Sequence, residues 1–165
     1  MIGTVIDNWH AHLRGDFPGG LDALLHDDCV FWSPVVHSPQ RGKELTKLYL
    51  AAAYQVMPGD ADADTDADTD ADADADGGET TAPATDPSGG GGSFRYTKHV
   101  LDHPHAVLEF ETTMGDTIVN GVDIITCDDD GKIVEFKVMV RPKRAMDTVH
   151  ARMAAMLEAM APNEG

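Results

Sequence analysis

The second half of the chain holds four β-branched, apolar segments joined by connections of only a few residues, and this limits the fold more than any other feature. FRYTKHVL, AVLEFETTM, TIVNGVDIITC and KIVEFKVMVR are separated by DHPH, GD and DDDG, all built from turn-forming residues. A parallel neighbour needs a crossover of about a dozen residues or more, so these segments pair as antiparallel neighbours. The first half supplies helices. Val5, Ile6, Trp9 and Leu13 share one helical face before Gly15 and predict a helix over residues 4–14. Leu21, Leu24 and Leu25 mark a short second helix, and CVFWS is a strand ended by Pro34. After the loop VVHSPQRG, the spacing of Leu45, Leu48, Tyr49, Ala52 and Val56 predicts a third helix that stops at Pro58-Gly59. Pro142 opens a last helix with the stripe Met146, Val149, Met153, Met156, Leu157 and Met160. The order ααβα, ββββ, α defines an α+β chain: a curved antiparallel or mixed sheet wrapped by N-terminal helices, with a C-terminal helix added.

Residues 58–93 interrupt this pattern. They form a low-complexity tract of alternating Asp and Ala followed by Gly, Thr, Pro and Ser, which has no large apolar side chain to bury. The tract reads as a disordered acidic insertion in a single domain folded from residues 1–57 and 94–165, since loop closure costs grow only logarithmically with length. Of the net charge of −17, its ten Asp and one Glu carry eleven negative charges, leaving −6 elsewhere. Such acidity argues against nucleic acid or an anionic membrane surface as partner. A hydrated acidic tract suits a high-salt cytoplasm, where charge maintains solubility. No stretch approaches the roughly 18 apolar residues of a membrane span, and MIGTVIDNWHAHLRGD lacks a basic region followed by an apolar run, so a cytoplasmic location is expected. Cys29 and Cys127 are too few for a disulfide framework and read as reduced, partly buried thiols.

Alternation places the candidate chemistry. In IVEFKVMVR, Val134, Phe136, Val138 and Val140 share the face that should meet the helices, and in AVLEFETT so do Ala106, Leu108 and Phe110. TIVNGVDIITC has apolar residues on both faces, as in a strand covered on both sides, and Asp123 falls in its middle. A carboxylate among Val and Ile loses hydration in its charged form, so its pKa should rise and it becomes a candidate acid. The other reading is a hydrogen-bonded carboxylate that fixes the sheet, and periodicity does not separate the two.

FWSPVVHSPQRGKEL, FRYTKHV, AVLEFE and NGVDIITCDDDGKIVEFKVMVRPKRAM together resemble the SnoaL-like branch of the nuclear transport factor 2-like superfamily. The resemblance implies a cone-shaped domain around a pocket, commonly a homodimer, in a superfamily with ketosteroid isomerases, polyketide cyclases, epoxide hydrolases and noncatalytic members. Set beside the ketosteroid isomerases, Asp123 takes the position of their protonated oxyanion-hole aspartate, and Phe136, Val138 and Val140 match their pocket wall. Their general-base aspartate precedes the proline of the first strand, where this chain has Ser33. Their helix-one tyrosine falls near Asn8 and Trp9, which removes the phenolic donor. A standard ketosteroid isomerase mechanism is therefore not expected.

His37, in the loop after the first strand, and His99, on the first strand after the insertion, are the alternative titratable candidates beside Asp123. Trp9, Phe31, Ser33 and Tyr49, with Leu108, Phe110, Phe136, Val138 and Val140, are the expected binding residues. No metal site is expected, and no cofactor is implied, because there is no glycine-rich phosphate loop and no complete metal-ligand spacing. The leading functional reading is a pocket for a small apolar or amphipathic molecule, with acid–base chemistry such as isomerisation, cyclisation or hydration. The competing reading is a noncatalytic dimerisation or partner-binding module.

Overall fold

Every predicted strand and helix forms, with boundaries shifted by a few residues. The structure is a computed structural model and describes residues 1–57 and 94–160; the insertion expected over 58–93 lies outside the described residues. Helix α1 (Ile2–Leu13) is followed by the short α2 (Gly20–Leu24) and strand β1 (Leu25–Trp32). β1 begins earlier than CVFWS because Leu25 belongs to it and not to the helix. The loop after it contains a two-residue strand, β2 (Gln40–Arg41), before α3 (Lys43–Val56). Then come β3 (Arg95–Asp102), β4 (His105–Met114), β5 (Thr117–Cys127), β6 (Ile133–Arg141) and α4 (Lys143–Met160).

The six strands form one sheet in the order β2-β1-β6-β5-β4-β3. β3 to β6 are successive antiparallel neighbours, as their short turns require. The sheet is nevertheless mixed, because β1 runs parallel to β6, reached through the long stretch of chain between them. Helices α1, α3 and α4 pack on the inner face and close the cone.

Alternation along β4 holds throughout: Ala106, Leu108 and Phe110 are buried, and Thr112 and Met114 continue the row. On β6 it is broken once. A register shift beside Cys127 sets Ile133 opposite it, so Ile133 is the fully buried residue at that end and Val134 is only half-buried. On β5 the inner row Val119, Gly121, Asp123, Ile125 and Cys127 is buried, but Val122 and Ile124 on the other face are half-buried and Ile118 is exposed. In the single chain this strand is therefore covered on one side, not on both.

The interior has two apolar clusters. One gathers Val5, Ile6 and Trp9 of α1 with Phe31, Leu108, Ile125 and Phe136 of the sheet, and the other gathers Val56, Phe110, Val119 and Val149. Tyr96 and Val138 touch both clusters and so mark the seam between them. Both cysteines are free and buried, and burial pushes the Cys29 thiol up to about 11, which keeps it protonated and unreactive at neutral pH.

Candidate functional site

Asp123 sits at that seam. Its strand partners are Leu108 on β4 and Val138 on β6, and only 5% of its surface is exposed. Apolar neighbours on both flanking strands withdraw water from the carboxyl, and this burial raises its pKa from 3.8 to about 7; the hydrogen bond described next acts in the opposite sense.

That bond comes from Tyr96, a residue not anticipated from the sequence as part of the site. Tyr96 lies on β3 opposite Phe110, and its phenol reaches across β4 to donate to Asp123 Oδ2 at 2.6 Å. Trp9 Nε1 on α1 in turn donates to the Tyr96 oxygen at 2.9 Å. Helix one supplies an indole N–H and no tyrosine here, and the phenol of Tyr96 comes from β3, with its proton directed to Asp123. Burial foremost, and then the adjacent carboxylate, holds the Tyr96 pKa well above that of an ordinary phenol, so Tyr96 remains a donor. The chain of bonds has a direction, from indole to phenol to carboxyl. When Asp123 is protonated, it can become the last donor in that series while Oδ2 still accepts from Tyr96.

A cavity of about 300 Å³ opens beside these groups. Trp9, Phe31, Tyr49 and Phe110 line it, as do Phe136, Val138 and Val140. Leu108 does not; it is fully buried behind the wall. Trp9 and Phe31 pack against Phe136 with ring centroids 5.0 and 6.2 Å apart, and Phe94 stacks on Phe110 at 5.0 Å. These ring contacts make the wall rigid as well as apolar. α4 contributes Val149, His150 and Met153 to the cavity, which gives part of the methionine stripe a place at its edge.

Ser33 follows β1 and also lines the cavity, but its oxygen accepts from the backbone N–H groups of Val35 at 3.2 Å and Val36 at 3.4 Å. It therefore shapes the turn after the strand. His37 is exposed and lines a second hollow with Trp32 and Lys137, apart from Asp123. His99 does reach the cavity. A register irregularity between Tyr96 and Lys98 sets His99 opposite Leu108, on the same inward row as Tyr96, and its ring lies 5.0 Å from that of His10 on α1. Strict alternation from Tyr96 would instead have put Lys98 on that row, and no local signal in FRYTKHVL announces the irregularity. Arg141 donates to Asn120 Oδ1, and Asn120 donates to Glu109 Oε1, so the strand-end arginine is engaged on the sheet and not in the cavity. Among the described residues, no three His, Cys, Asp or Glu side chains converge as metal ligands do. No helix among them is long and apolar enough to cross a membrane.

A mixed open sheet closed by helices over a buried acid defines an α+β cone. No protein-family model matches the chain, and no curated protein matches it by sequence. Solved structures do. A steroid delta-isomerase from Pseudomonas aeruginosa superposes with a TM-score of 0.71 at 27% identity, covering 96% of this chain and 93% of that one. An uncharacterised bacterial protein with a cystatin-like fold from Silicibacter pomeroyi gives 0.66 at 22% identity, covering 96% and 86%. A protein assigned as a SnoaL-like polyketide cyclase from Jannaschia gives 0.55 at 11% identity, covering 90% and 91%. The chain has the nuclear transport factor 2-like fold of the SnoaL-like isomerases and polyketide cyclases.

Proposed function

We propose that the chain binds a small, mostly apolar molecule in the cavity and uses Asp123 as an acid or orienting hydrogen-bond donor in cofactor-independent isomerisation, cyclisation or hydration. The observation that carries this reading is the buried Asp123 carboxyl beside an aromatic-walled cavity, with a pKa raised to about 7 and a Tyr96–Trp9 relay behind it. The likeness to a steroid delta-isomerase supports a site that donates to a ligand oxygen. Ser33 is neutral and already engaged in a turn, so the reading excludes it as a proton-abstracting base. His99, at the cavity, is better placed than His37 to exchange protons with a ligand.

The test is the Asp123 titration in the full chain, followed by carboxyl NMR with selectively labelled aspartate and assigned by comparison with Asp123→Asn. A midpoint near 7 that moves upward when an apolar carbonyl compound binds supports the reading. A low midpoint indifferent to a panel of such ligands overturns it.

A second reading rests on a different observation. The outer sheet face exposes Ile118 (67%) on β5 and Met139 (53%) on β6, with half-buried Val122 opposite Met139 and half-buried Ile124 next along β5. Such a face favours a homodimer or another protein partner across the sheet. Light scattering across a dilution series tests it, with a monomer at every concentration counting against self-association.

A further inference from the structure

The second hollow, which His37 lines, shares a wall with the Asp123 cavity. Ser33, Pro34 and Val36 of the loop after β1, and Val138 and Val140 of β6, line both. The strand pairing explains why the wall is thin here. β1 pairs with β6 only as far as Trp32 opposite Lys137, whereas β6 continues to Arg141. Pro34 has no N–H to give the ladder, and Ser33 Oγ turns the chain by accepting from the Val35 and Val36 N–H groups. The chain then arches back to pair as β2, with Gln40 opposite Phe31. Beyond Lys137, no strand among the described residues lies against β6 on this side. The sheet therefore has a notch, bounded by the arch over residues 33–39 and by the edge of β6 over residues 138–140. Val138 is the direct partner of Asp123, so the notch begins one strand spacing, about 4.8 Å, from the strand that carries the acid.

On the outer side, the notch opens into the hollow, which has a volume of about 450 Å³. Its polar groups are already engaged with one another. Trp32 Nε1 donates to Glu135 Oε2 at 3.0 Å, and Lys137 Nζ lies 3.4 Å from Glu135 Oε1 and 5.3 Å from the centre of the Trp32 ring. What remains for an occupant is apolar: Pro34, Val36 and Met139 line the hollow, with Val36 41% and Met139 53% exposed. Exposed apolar side chains around a concavity suit an apolar occupant.

We propose that the notch is a side portal of the cavity and that the site takes an elongated apolar carbonyl compound, its oxygen at Asp123, its chain passing between the arch and the edge of β6, and its far end in the hollow on Val36 and Met139. The proposal rests on the cavity being a ligand site and adds the length and route of the ligand. An alkyl chain makes no demand on Trp32, Glu135 and Lys137, and each methylene it withdraws from water strengthens binding by up to about fourfold. The arch thereby sets which chain lengths the site prefers.

The two tryptophans report the two ends separately, because Trp9 lines the cavity and Trp32 lines the hollow. The experiment follows both indole N–H resonances of the full chain, assigned with Trp32→Phe, during titration with 2-hexanone and with 2-undecanone. The shorter ketone should move the Trp9 resonance and leave that of Trp32 in place. The longer one should move both with a single midpoint and bind on the order of 100-fold more tightly. Met139→Glu, a change at an exposed position that lines the hollow and not the cavity, should weaken 2-undecanone about tenfold and leave 2-hexanone unchanged, with thermal unfolding confirming that the variant folds. A Trp32 resonance unmoved by 2-undecanone, different midpoints for the two resonances, or equal loss of both ketones in Met139→Glu would overturn the portal and leave the cavity standing. Failure of both ketones to move the Trp9 resonance removes the ligand cavity itself.

Discussion

The Tyr96 hydroxyl is 2.6 Å from Asp123 Oδ2 and its oxygen is simultaneously the acceptor for the Trp9 indole, 87 positions away in the chain, so Trp9 and Asp123 meet on one phenol. The donor favours the ionised carboxylate and opposes the desolvation that raises the Asp123 pKa. Tyr96→Phe should therefore move the Asp123 midpoint further above about 7. It should also cost about 1–3 kcal/mol, because the buried indole N–H and carboxyl each lose a partner. Carboxyl NMR measures the first effect and urea unfolding the second. A midpoint that stays or falls would show that Tyr96 does not hold the carboxylate.

Asp123 also links stability to pH, with a definite sign. Its folded pKa of about 7 exceeds the ordinary 3.8, so between those values the folded chain retains a proton that the unfolded chain has released. The contribution of Asp123 to stability is complete below 3.8 and is lost as pH rises through about 7. At 1.36 kcal/mol per unit, the loss is about 4 kcal/mol once the group is fully ionised. Asp123→Asn does not titrate. Its stability relative to the native chain should rise between about pH 4 and about pH 7 and level off above, as read by urea midpoints at each pH. Parallel pH profiles for the two proteins would contradict the raised pKa.

How much of this was legible in the sequence depends on the range of the interaction. The run from Phe94 to Arg141 reveals its antiparallel order through turn length alone, and the burial of Asp123 follows from its place in the row with Val119 and Ile125. Two-residue alternation is a local signal, and it holds wherever the ladder is regular. It fails at the irregularities. The shifts beside Tyr96 and Cys127 change which side chains face inward, bringing His99 to the cavity and making Ile133 the buried residue in place of Val134. The parallel pairing of β1 with β6 and the Trp9–Tyr96–Asp123 chain join distant segments, and no short window of sequence contains both partners. The resemblance to ketosteroid isomerases directs attention to helix one, where Trp9 stands, and so gives no sign that a phenol from β3 bonds Asp123.

Ser33 separates a turn-forming hydroxyl from a ligand contact. Its oxygen accepts from both Val35 and Val36 N–H groups, so Ser33→Ala should cost about 1 kcal/mol by leaving those donors to solvent. The affinity for an apolar ligand should be unchanged, because the hydroxyl's lone pairs are directed to the backbone. Urea unfolding and ligand titration on the same variant give both numbers. A large loss of affinity at unchanged stability would instead make Ser33 a ligand-binding group.

Gly121 is required by space and not by backbone conformation, since its φ is not in the left-handed region. A Cβ at this position would collide with the Phe110 ring and come within 2.7 Å of the Met139 carbonyl oxygen. Phe110 covers Gly121 from the neighbouring strand and is itself held by Phe94, so an added methyl group must displace the stacked pair that forms the cavity wall. Gly121→Ala should destabilise the chain by about 1–3 kcal/mol and weaken binding of any ligand that lies on Phe110. Gly3, on α1, is the control: nothing lies within 4 Å of its hypothetical Cβ, so Gly3→Ala should add up to about 1 kcal/mol from helix propensity alone. Opposite shifts in the unfolding midpoints of the two variants would confirm that close packing at Phe110 shapes the wall. A neutral Gly121→Ala would mean that the ring moves freely and that the cavity adapts to its ligand.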